Sequence, residues 1–177
     1  MTGEFQLRAP KAEDTPKLAS LGRETFIETF GLLYRKEDLD HFLEKSYSDT
    51  VISAELADPR LTHQVIEFQT ELIAFIKVGP VHVPAKSPSP DAAEIWQIYV
   101  RQSFLGKGLG NRLMNWALSH FKLIKASEIY VSVFSENPKA IRFYEKYGFK
   151  KIDEYDFSVG DQIDLEWIMC KPPIFRE

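Results

Sequence analysis

A glycine-rich turn between a strand-like segment and an amphipathic helix constrains this chain more than any other sequence feature. The turn, Gly106-Lys-Gly-Leu-Gly110, follows the apolar residues 94–100 and opens a helix predicted over residues 108–124. Glycines at such a junction leave backbone N–H groups unpaired, and the helix dipole favours an anion at that end of the helix. The turn therefore predicts a phosphate-binding site.

The spacing within the turn excludes two common phosphate-binding motifs. No Lys-Ser or Lys-Thr pair stands where the Walker motif requires one. The dinucleotide motif has two residues between its last glycines, whereas this chain has only Leu109. Lys107 and Arg112 add positive charge beside the turn. This arrangement favours a pyrophosphate group, and a purely structural glycine turn is the alternative.

The hydrophobic period changes along the chain from helical to strand-like. Asp14 is predicted to cap the first helix, which has Pro16 in its first turn and ends at Gly31. Further helices are predicted over residues 36–45, 50–57, 108–124 and 138–147, and strands over residues 5–8, 62–68, 72–78, 94–100, 128–134, 149–157 and 162–170. A proline-rich loop follows the third strand. This order predicts an α+β (mixed α/β) domain with a mixed sheet of about seven strands and helices on both faces.

Composition limits the class of protein and its setting. The 177 residues are 44% apolar, which suits a single domain over residues 1–177. The net charge of −4 argues against binding to nucleic acid or to an anionic membrane. Cys170 is the only cysteine and the four histidines are scattered, so neither a disulfide nor a metal site is expected. The chain lacks a signal-peptide pattern and a run of about 20 apolar residues, so a soluble, cytoplasmic protein is expected.

Two sequence segments together resemble one protein family. The second segment is Asn137-Pro-Lys-Ala-Ile-Arg-Phe-Tyr-Glu-Lys-Tyr-Gly-Phe149. It is similar at every defined position to the Asn-x-x-Ala-x-x-Phe-Tyr-x-x-x-Gly-Phe segment of the GNAT superfamily of acyl-CoA N-acyltransferases. The glycine turn resembles the family's Gln/Arg-x-x-Gly-x-Gly/Ala motif, although Leu105 stands where Gln or Arg is usual. Residues 24–30 and 160–169 more loosely resemble bacterial Pai-type polyamine acetyltransferases.

This resemblance implies a twisted sheet that is splayed in the middle and acetyl-CoA as the co-substrate. The backbone amides of the turn would hold the pyrophosphate, the strand before it would pair with the pantetheine arm, and the N–H of Ile98 would contact the thioester carbonyl. The cofactor-binding residues implied are Ile98, Tyr99, Val100, Leu105, Gly106, Lys107, Gly108, Leu109, Gly110, Asn111, Asn137, Lys139, Tyr144 and Lys146.

Direct acyl transfer to an amine needs a proton acceptor for the ammonium and a proton donor for the departing thiolate. The resemblance implies that Tyr144 is the donor; packing into the core beside Phe143 is the alternative. Glu94 matches in position a glutamate that serves several family members as general base, often through water. An exposed carboxylate at the start of a strand is the alternative for Glu94.

The acceptor is expected on the side of the sheet opposite the coenzyme. Strand alternation places Trp96, Ile98 and Val100 on the same face as Glu94. Acidic and aromatic side chains there suit a cationic, polyamine-like primary amine; the candidates are Glu24, Glu28, Tyr34, Trp96 and Tyr155.

Two other functions remain open from the sequence. A protein acetyltransferase acting on lysine or an N-terminus would need an open peptide channel, and a non-catalytic acetyl-CoA-binding module would bind the coenzyme without turnover. The sequence does not specify the amine, the acyl chain length or the oligomeric state, for which a homodimer is one option.

Overall fold

The computed structural model describes residues 3–172 and confirms the seven-stranded mixed sheet. The strand order is β1-β2-β3-β4-β5-β7-β6, and every neighbouring pair is antiparallel except β4 and β5. The strands are β1 (Gln6–Arg8), β2 (Thr62–Phe68), β3 (Glu71–Pro80), β4 (Ala93–Val100), β5 (Ile129–Phe134), β6 (Lys150–Val159) and β7 (Gln162–Lys171).

Helices cover both faces of the sheet, as the sequence predicted. They are α1 (Thr15–Phe30), α2 (Lys36–Tyr47), α3 (Asp49–Ala57), α4 (Leu109–Leu123) and α5 (Pro138–Lys146). Helices α1 to α3 pack one apolar cluster against β2 and β3, while α4 and α5 pack the larger cluster against the opposite face. Alternate residues of one strand enter different clusters: Phe75 faces α1, whereas Ile76 faces α4. No helix among residues 3–172 combines the length and apolarity that crossing a membrane would require.

Strands β4 and β5 separate after a short parallel contact. Their pairing covers only residues 93–95 and 129–131, although β4 continues to Val100 and β5 to Phe134. The remaining lengths of the two strands diverge and leave a gap in the middle of the sheet. This gap is the splay that the family resemblance implied.

A β-bulge in β4 corrects the predicted face of two residues. Lys77 pairs with Gln97 and Val78 with Ile95, so Trp96 is an extra residue on β4. One extra residue shifts the phase of side-chain alternation. Residues beyond the bulge therefore switch faces relative to Glu94: Ile98 and Val100 pack into the cluster under α4 and α5. Gln97 instead donates to the Tyr47 hydroxyl on the α1–α2 face, at 2.9 Å.

The predicted cap of the first helix is also corrected. Asp14 makes no side-chain cap to α1. Its carboxylate accepts bonds from the Arg8 guanidinium at 2.7 and 3.0 Å and from the Lys11 backbone N–H at 2.7 Å. The bond from Arg8 lowers the Asp14 pKa to about 2. An ion pair between β1 and the residue before α1 thus replaces the cap.

Candidate active site

A cavity of about 1150 Å³ lies at the gap between β4 and β5. Its wall includes Leu105, Gly110 and Phe143 from the α4–α5 side of the sheet. From the opposite side it includes Tyr34 and Tyr155. The cavity therefore connects the two faces of the sheet through the gap, so a donor and an acceptor can meet from opposite sides.

The glycine turn has the geometry of an anion-binding site. Gly106 and Gly108 have φ angles of +78° and +76°, a conformation that L side chains rarely adopt. A Cβ added at either position would have no atom within 4 Å, so space is open above the backbone. Leu109 is buried and fixes the start of α4 in the core. The turn thus presents free amides at a helix N-terminus, which fits the pyrophosphate of a coenzyme.

The edge of β4 supplies further backbone donors. The Arg101 N–H bonds to the Ile73 carbonyl at 2.9 Å, and the register between β3 and β4 is regular from residue 97 onward. Hydrogen bonding alternates along an antiparallel pair, so Tyr99 also faces β3 with its N–H. The N–H groups of Ile98 and Val100 consequently point away from β3 and into the gap.

Of the polar residues of the second motif, Asn137 and Lys139 line the cavity, whereas Lys146 does not. Asn137 caps α5 by accepting a bond from the Ala140 N–H at 3.1 Å, and both Asn137 and Lys139 line the cavity. Lys146 lies over the ring of Tyr147, away from the cavity wall. The Asn111 side chain accepts a bond from the Tyr147 hydroxyl at 2.9 Å. This bond fixes the Asn111 side chain beside Tyr147, and Asn111 is not part of the cavity wall.

Tyr144 packs in the core and also lines the cavity. Its ring packs against Phe143 and Phe149, and the residue is 6% exposed. Its hydroxyl makes no hydrogen bond with any other group of residues 3–172, and the residue lines the cavity. Burial raises the Tyr144 pKa well above its usual value, so the phenol carries its proton at neutral pH.

Glu94 is fully buried and is not an exposed carboxylate at a strand end. Its Oε2 accepts bonds from the backbone N–H groups of His82 and Val83, at 2.7 and 3.1 Å. The Nδ1 atom of His82 lies 2.7 Å from Oε1. The half-exposed His82 ring stacks on Trp96 with 4.2 Å between the ring centroids. Glu94 thus fixes the proline-rich loop over the site and faces the cavity beside His82.

Four of the five predicted acceptor residues line the cavity: Glu28, Tyr34, Trp96 and Tyr155. Tyr34 donates to Asp164 on β7. Glu24 is outside the cavity wall and forms an ion pair with Arg101 at 2.8 Å.

Sequence reasoning missed His82 and a second carboxylate, Glu166, both of which line the cavity. Glu166 lies on β7 and accepts a bond from the Ser132 hydroxyl at 2.7 Å. Burial raises its pKa to about 7. A signal existed in the strand pattern, because Ile163 and Leu165 are exposed while Asp164 and Glu166 point inward. Charged residues on the inner face of a strand with apolar residues outside are typical of a functional surface.

Comparison with known proteins decides the family. The family model described as "Acetyltransferase (GNAT) family" matches residues 23–149. The chain belongs to this family. This GNAT protein is therefore an acyltransferase that uses acetyl-CoA as its acyl donor.

Two curated relatives match over most of the GNAT chain. An N-acetyltransferase in the pepI 3′ region of Lactobacillus delbrueckii subsp. lactis is 28% identical over 159 residues, covering 90% of this chain and 92% of the relative. The spermidine N(1)-acetyltransferase of Escherichia coli K12 is 27% identical over 165 residues, covering 87% and 84%.

Solved structures confirm the GNAT fold. The PaiA N-acetyltransferase of Thermoplasma acidophilum, solved in complex with coenzyme A, superposes with a TM-score of 0.78. It is 22% identical, and the match covers 96% of this chain and 99% of that one. Mutant forms of the spermidine/spermine N-acetyltransferase SpeG of Vibrio cholerae superpose with a TM-score of 0.66 at 22% identity, covering 96% and 95%.

Replacing Gly108 tests the anion-binding turn. Gly108→Ala places a methyl group in the open space above the turn and strains a backbone with φ of +76°. We expect the KM for acetyl-CoA to rise about tenfold, equal to about 1.4 kcal/mol, in steady-state kinetics.

Gly148→Ala is the matched control. Gly148 has φ of +87° and lies outside the cavity wall, where a Cβ would meet only the flexible end of Lys171. It carries the same backbone strain, so it should lower stability and leave the KM for acetyl-CoA unchanged. An unchanged KM in Gly108→Ala would contradict the assignment of the turn.

Proposed function

We propose that this enzyme transfers an acetyl group from acetyl-CoA to a primary amine of a small, polyamine-like molecule. The observation that carries the proposal is a covered, acidic wall on the acceptor side of the cavity. Helix α2 contacts the turn between β6 and β7: the Arg35 guanidinium bridges Asp38 and Asp161, at 2.8 and 2.6 Å. The ring of Phe42 meets the ring of Phe157 edge-on at 6.0 Å. This cover favours a small amine over a peptide chain, which would need an open channel.

The charges of the acceptor side support a cationic substrate. Glu28, Glu94 and Glu166 line the cavity together with the rings of Tyr34 and Trp96. Lys77 and Lys45 also line it, and Glu55 neutralises the charge of Lys77 at 2.6 Å. Carboxylates and aromatic faces both attract an ammonium group. The named relatives that act on spermidine or spermine agree with this chemistry.

Acetyl-CoA supplies an acyl group already activated as a thioester. The residues of the chain therefore have to hold the coenzyme, orient the acyl group and deprotonate the amine. The amides of residues 106–110 bind the pyrophosphate, and the N–H groups of Ile98 and Val100 orient the arm in the gap. The Ile98 N–H hydrogen-bonds the acyl oxygen and stabilises the negative charge that develops there. The Tyr144 hydroxyl gives its proton to the departing sulfur.

His82 accepts the proton of the ammonium at Nε2, and the Glu94 carboxylate orients the imidazole and stabilises its protonated form. The Oε2 atom of Glu94 already accepts two backbone hydrogen bonds, and its Oε1 atom faces Nδ1 of the imidazole. A proton on Nδ1 is therefore held by the carboxylate, which leaves Nε2 as the acceptor atom. His82 is half-exposed, so it passes the proton on to solvent. This role replaces direct contact between Glu94 and the amine.

An amine screen with acetyl-CoA, read by release of free thiol, tests the proposed function. The panel contains spermidine, spermine, simple alkylamines, amino acids and lysine-containing peptides. We expect the highest kcat/KM with a polyamine. Activity confined to the peptides would support a protein acetyltransferase instead and would overturn the proposal.

Tyr144→Phe tests the proton donor. The substitution keeps the ring packed in the core and removes only the hydroxyl, so we expect kcat to fall by about 10²-fold or more while stability changes little. Steady-state rates at several pH values measure the loss. Tyr147→Phe, one turn further along α5, is the control and should retain activity. Equal turnover in wild type and Tyr144→Phe at every pH would remove Tyr144 as the acid.

His82→Ala tests the role of His82 as the acceptor of the ammonium proton. We expect kcat to fall by about 10²-fold and to recover in part when imidazole is added to the buffer, because a free base can occupy the vacated place. His120→Ala, which removes a histidine stacked on Trp116 outside the cavity wall, is the control. Full activity of His82→Ala without imidazole would show that the proton leaves by another route.

A further inference from the structure

Glu166 lies in the cavity without a role in the steps above. On β7 it pairs in register with Phe134 of β5 and Tyr155 of β6. Its carboxylate accepts the Ser132 hydroxyl at 2.7 Å, and the same oxygen of Ser132 lies 3.0 Å from the Tyr155 hydroxyl. The carboxylate is therefore held in one orientation towards the cavity.

Four tyrosines that line the cavity lie near this carboxylate: Tyr34 in the loop between α1 and α2, Tyr99 on β4, Tyr144 on α5 and Tyr155 on β6. Burial raises the pKa of each of them, and the negative charge of Glu166 adds to that shift. Tyr144 packs in the cluster on the coenzyme side of the sheet, so the rings and hydroxyls of the other three are available to a ligand placed beside Glu166.

Glu166 has no cationic partner among the described residues. Within residues 3–172 no Lys, Arg or His nitrogen lies within 4.0 Å of its carboxylate. A largely buried carboxylate is costly unless it is paired. By contrast, the buried Lys77 and Glu55 of the same cavity neutralise one another. The carboxyl group of Glu166 is therefore neutralised either by a proton, which its raised pKa allows, or by a cation that a ligand brings.

Glu94 and Glu166 lie on the same face of the sheet, on opposite sides of the gap. Glu94 pairs with Tyr130 of β5, whereas Glu166 pairs with Phe134, four residues further along the same strand. Four residues of a strand span about 13 Å. An acceptor with a single amine can use only one of these carboxylates at a time, while a longer molecule with two amines can reach both.

We propose that Glu166, together with Tyr34, Tyr99 and Tyr155, binds the non-reacting ammonium group of the acceptor, so that Glu166 selects amines with a second cationic end. The proposal rests on the proposed function, because the reacting amine is placed beside His82 and Glu94. The carboxylate pairs with the ammonium, and the aromatic faces add cation–π attraction. Glu166 is thus a specificity residue that does not touch the reacting atoms.

The pH dependence of binding follows from the surroundings of Glu166. Burial and the charge of Asp164 raise its pKa to about 7, and the bond from Ser132 acts in the opposite direction. The surrounding tyrosines stay neutral between pH 6 and 8 because their pKa values are raised. Below about pH 7 the carboxyl group is neutral and cannot pair with a cation. The KM of a diamine should therefore fall as the pH rises from 6 to 8.

The test compares two acceptors that differ only in the second amine, 1,8-diaminooctane and n-octylamine, in wild type and in Glu166→Gln. We expect Glu166→Gln to raise the KM of the diamine about tenfold, to abolish its dependence on pH between 6 and 8, and to leave the KM of the monoamine nearly unchanged. Glu154→Gln, an exposed residue on β6 that pairs only with Lys151, is the control and should behave as wild type.

Ser132→Ala provides a second variant that keeps the carboxylate. Removing the hydroxyl removes the bond that lowers the pKa of Glu166, so the fall in KM of the diamine should move to higher pH. A purely structural role for Ser132 or Glu166 would not produce this displacement.

The outcomes separate this proposal from the proposed function. If wild type acetylates the diamine and Glu166→Gln shows the same KM and the same pH dependence, the binding site at Glu166 is overturned and the amine acetyltransferase stands. If wild type acetylates neither amine, calorimetric titration with 1,8-diaminooctane decides: loss of binding in Glu166→Gln supports the site, and equal binding or no binding to wild type overturns it.

Discussion

The early end of pairing between β4 and β5 is the constraint on which the rest of this structure depends. A continuous parallel pair would satisfy every backbone group along both strands and would close the sheet. Here three residues of each strand pair, and the strands then separate. The N–H groups of Ile98 and Val100 are left pointing into the gap. Backbone donors need a partner, so these two N–H groups are open to water or to a ligand placed in the gap.

The bulge at Trp96 determines which side chains of β4 lie on each face of the sheet. Without the extra residue, Ile98 and Val100 would stand beside Glu94 and would fill the acceptor side with apolar groups. With it, they enter the core under α4 and α5, close to the glycine turn and Tyr144. Glu94, His82 and Trp96 remain together on the opposite side. One inserted residue thus separates the donor side from the acceptor side.

The buried carboxylates of Glu94 and Glu166 on the acceptor side lower the free energy of unfolding, and both have a proposed role in the reaction or in binding. Glu94 is compensated by two backbone N–H groups and by His82. Among residues 3–172, Glu166 receives only the Ser132 hydroxyl, and burial raises its pKa to about 7. Natural cores seldom tolerate such a group unless it is used. The different compensation of the two carboxylates is the physical basis for giving them different roles.

The sequence by itself determined what is local. The glycine turn, the Asn137 cap and the tyrosine of the second motif each lie within one short segment, and their patterns predicted a coenzyme site that the family match supports. Strand and helix positions were predicted to within a few residues for the same reason. The sequence did not reveal the bulge at Trp96, the ion pair that removes Asp14 from its capping role, or the meeting of His82 with Glu94. Only the tertiary structure decided these, and it alone placed Glu166 near tyrosines from β4, α5, β6 and the α1–α2 loop. Such contacts join residues of different elements, and their energies depend on burial, which no short stretch of sequence specifies.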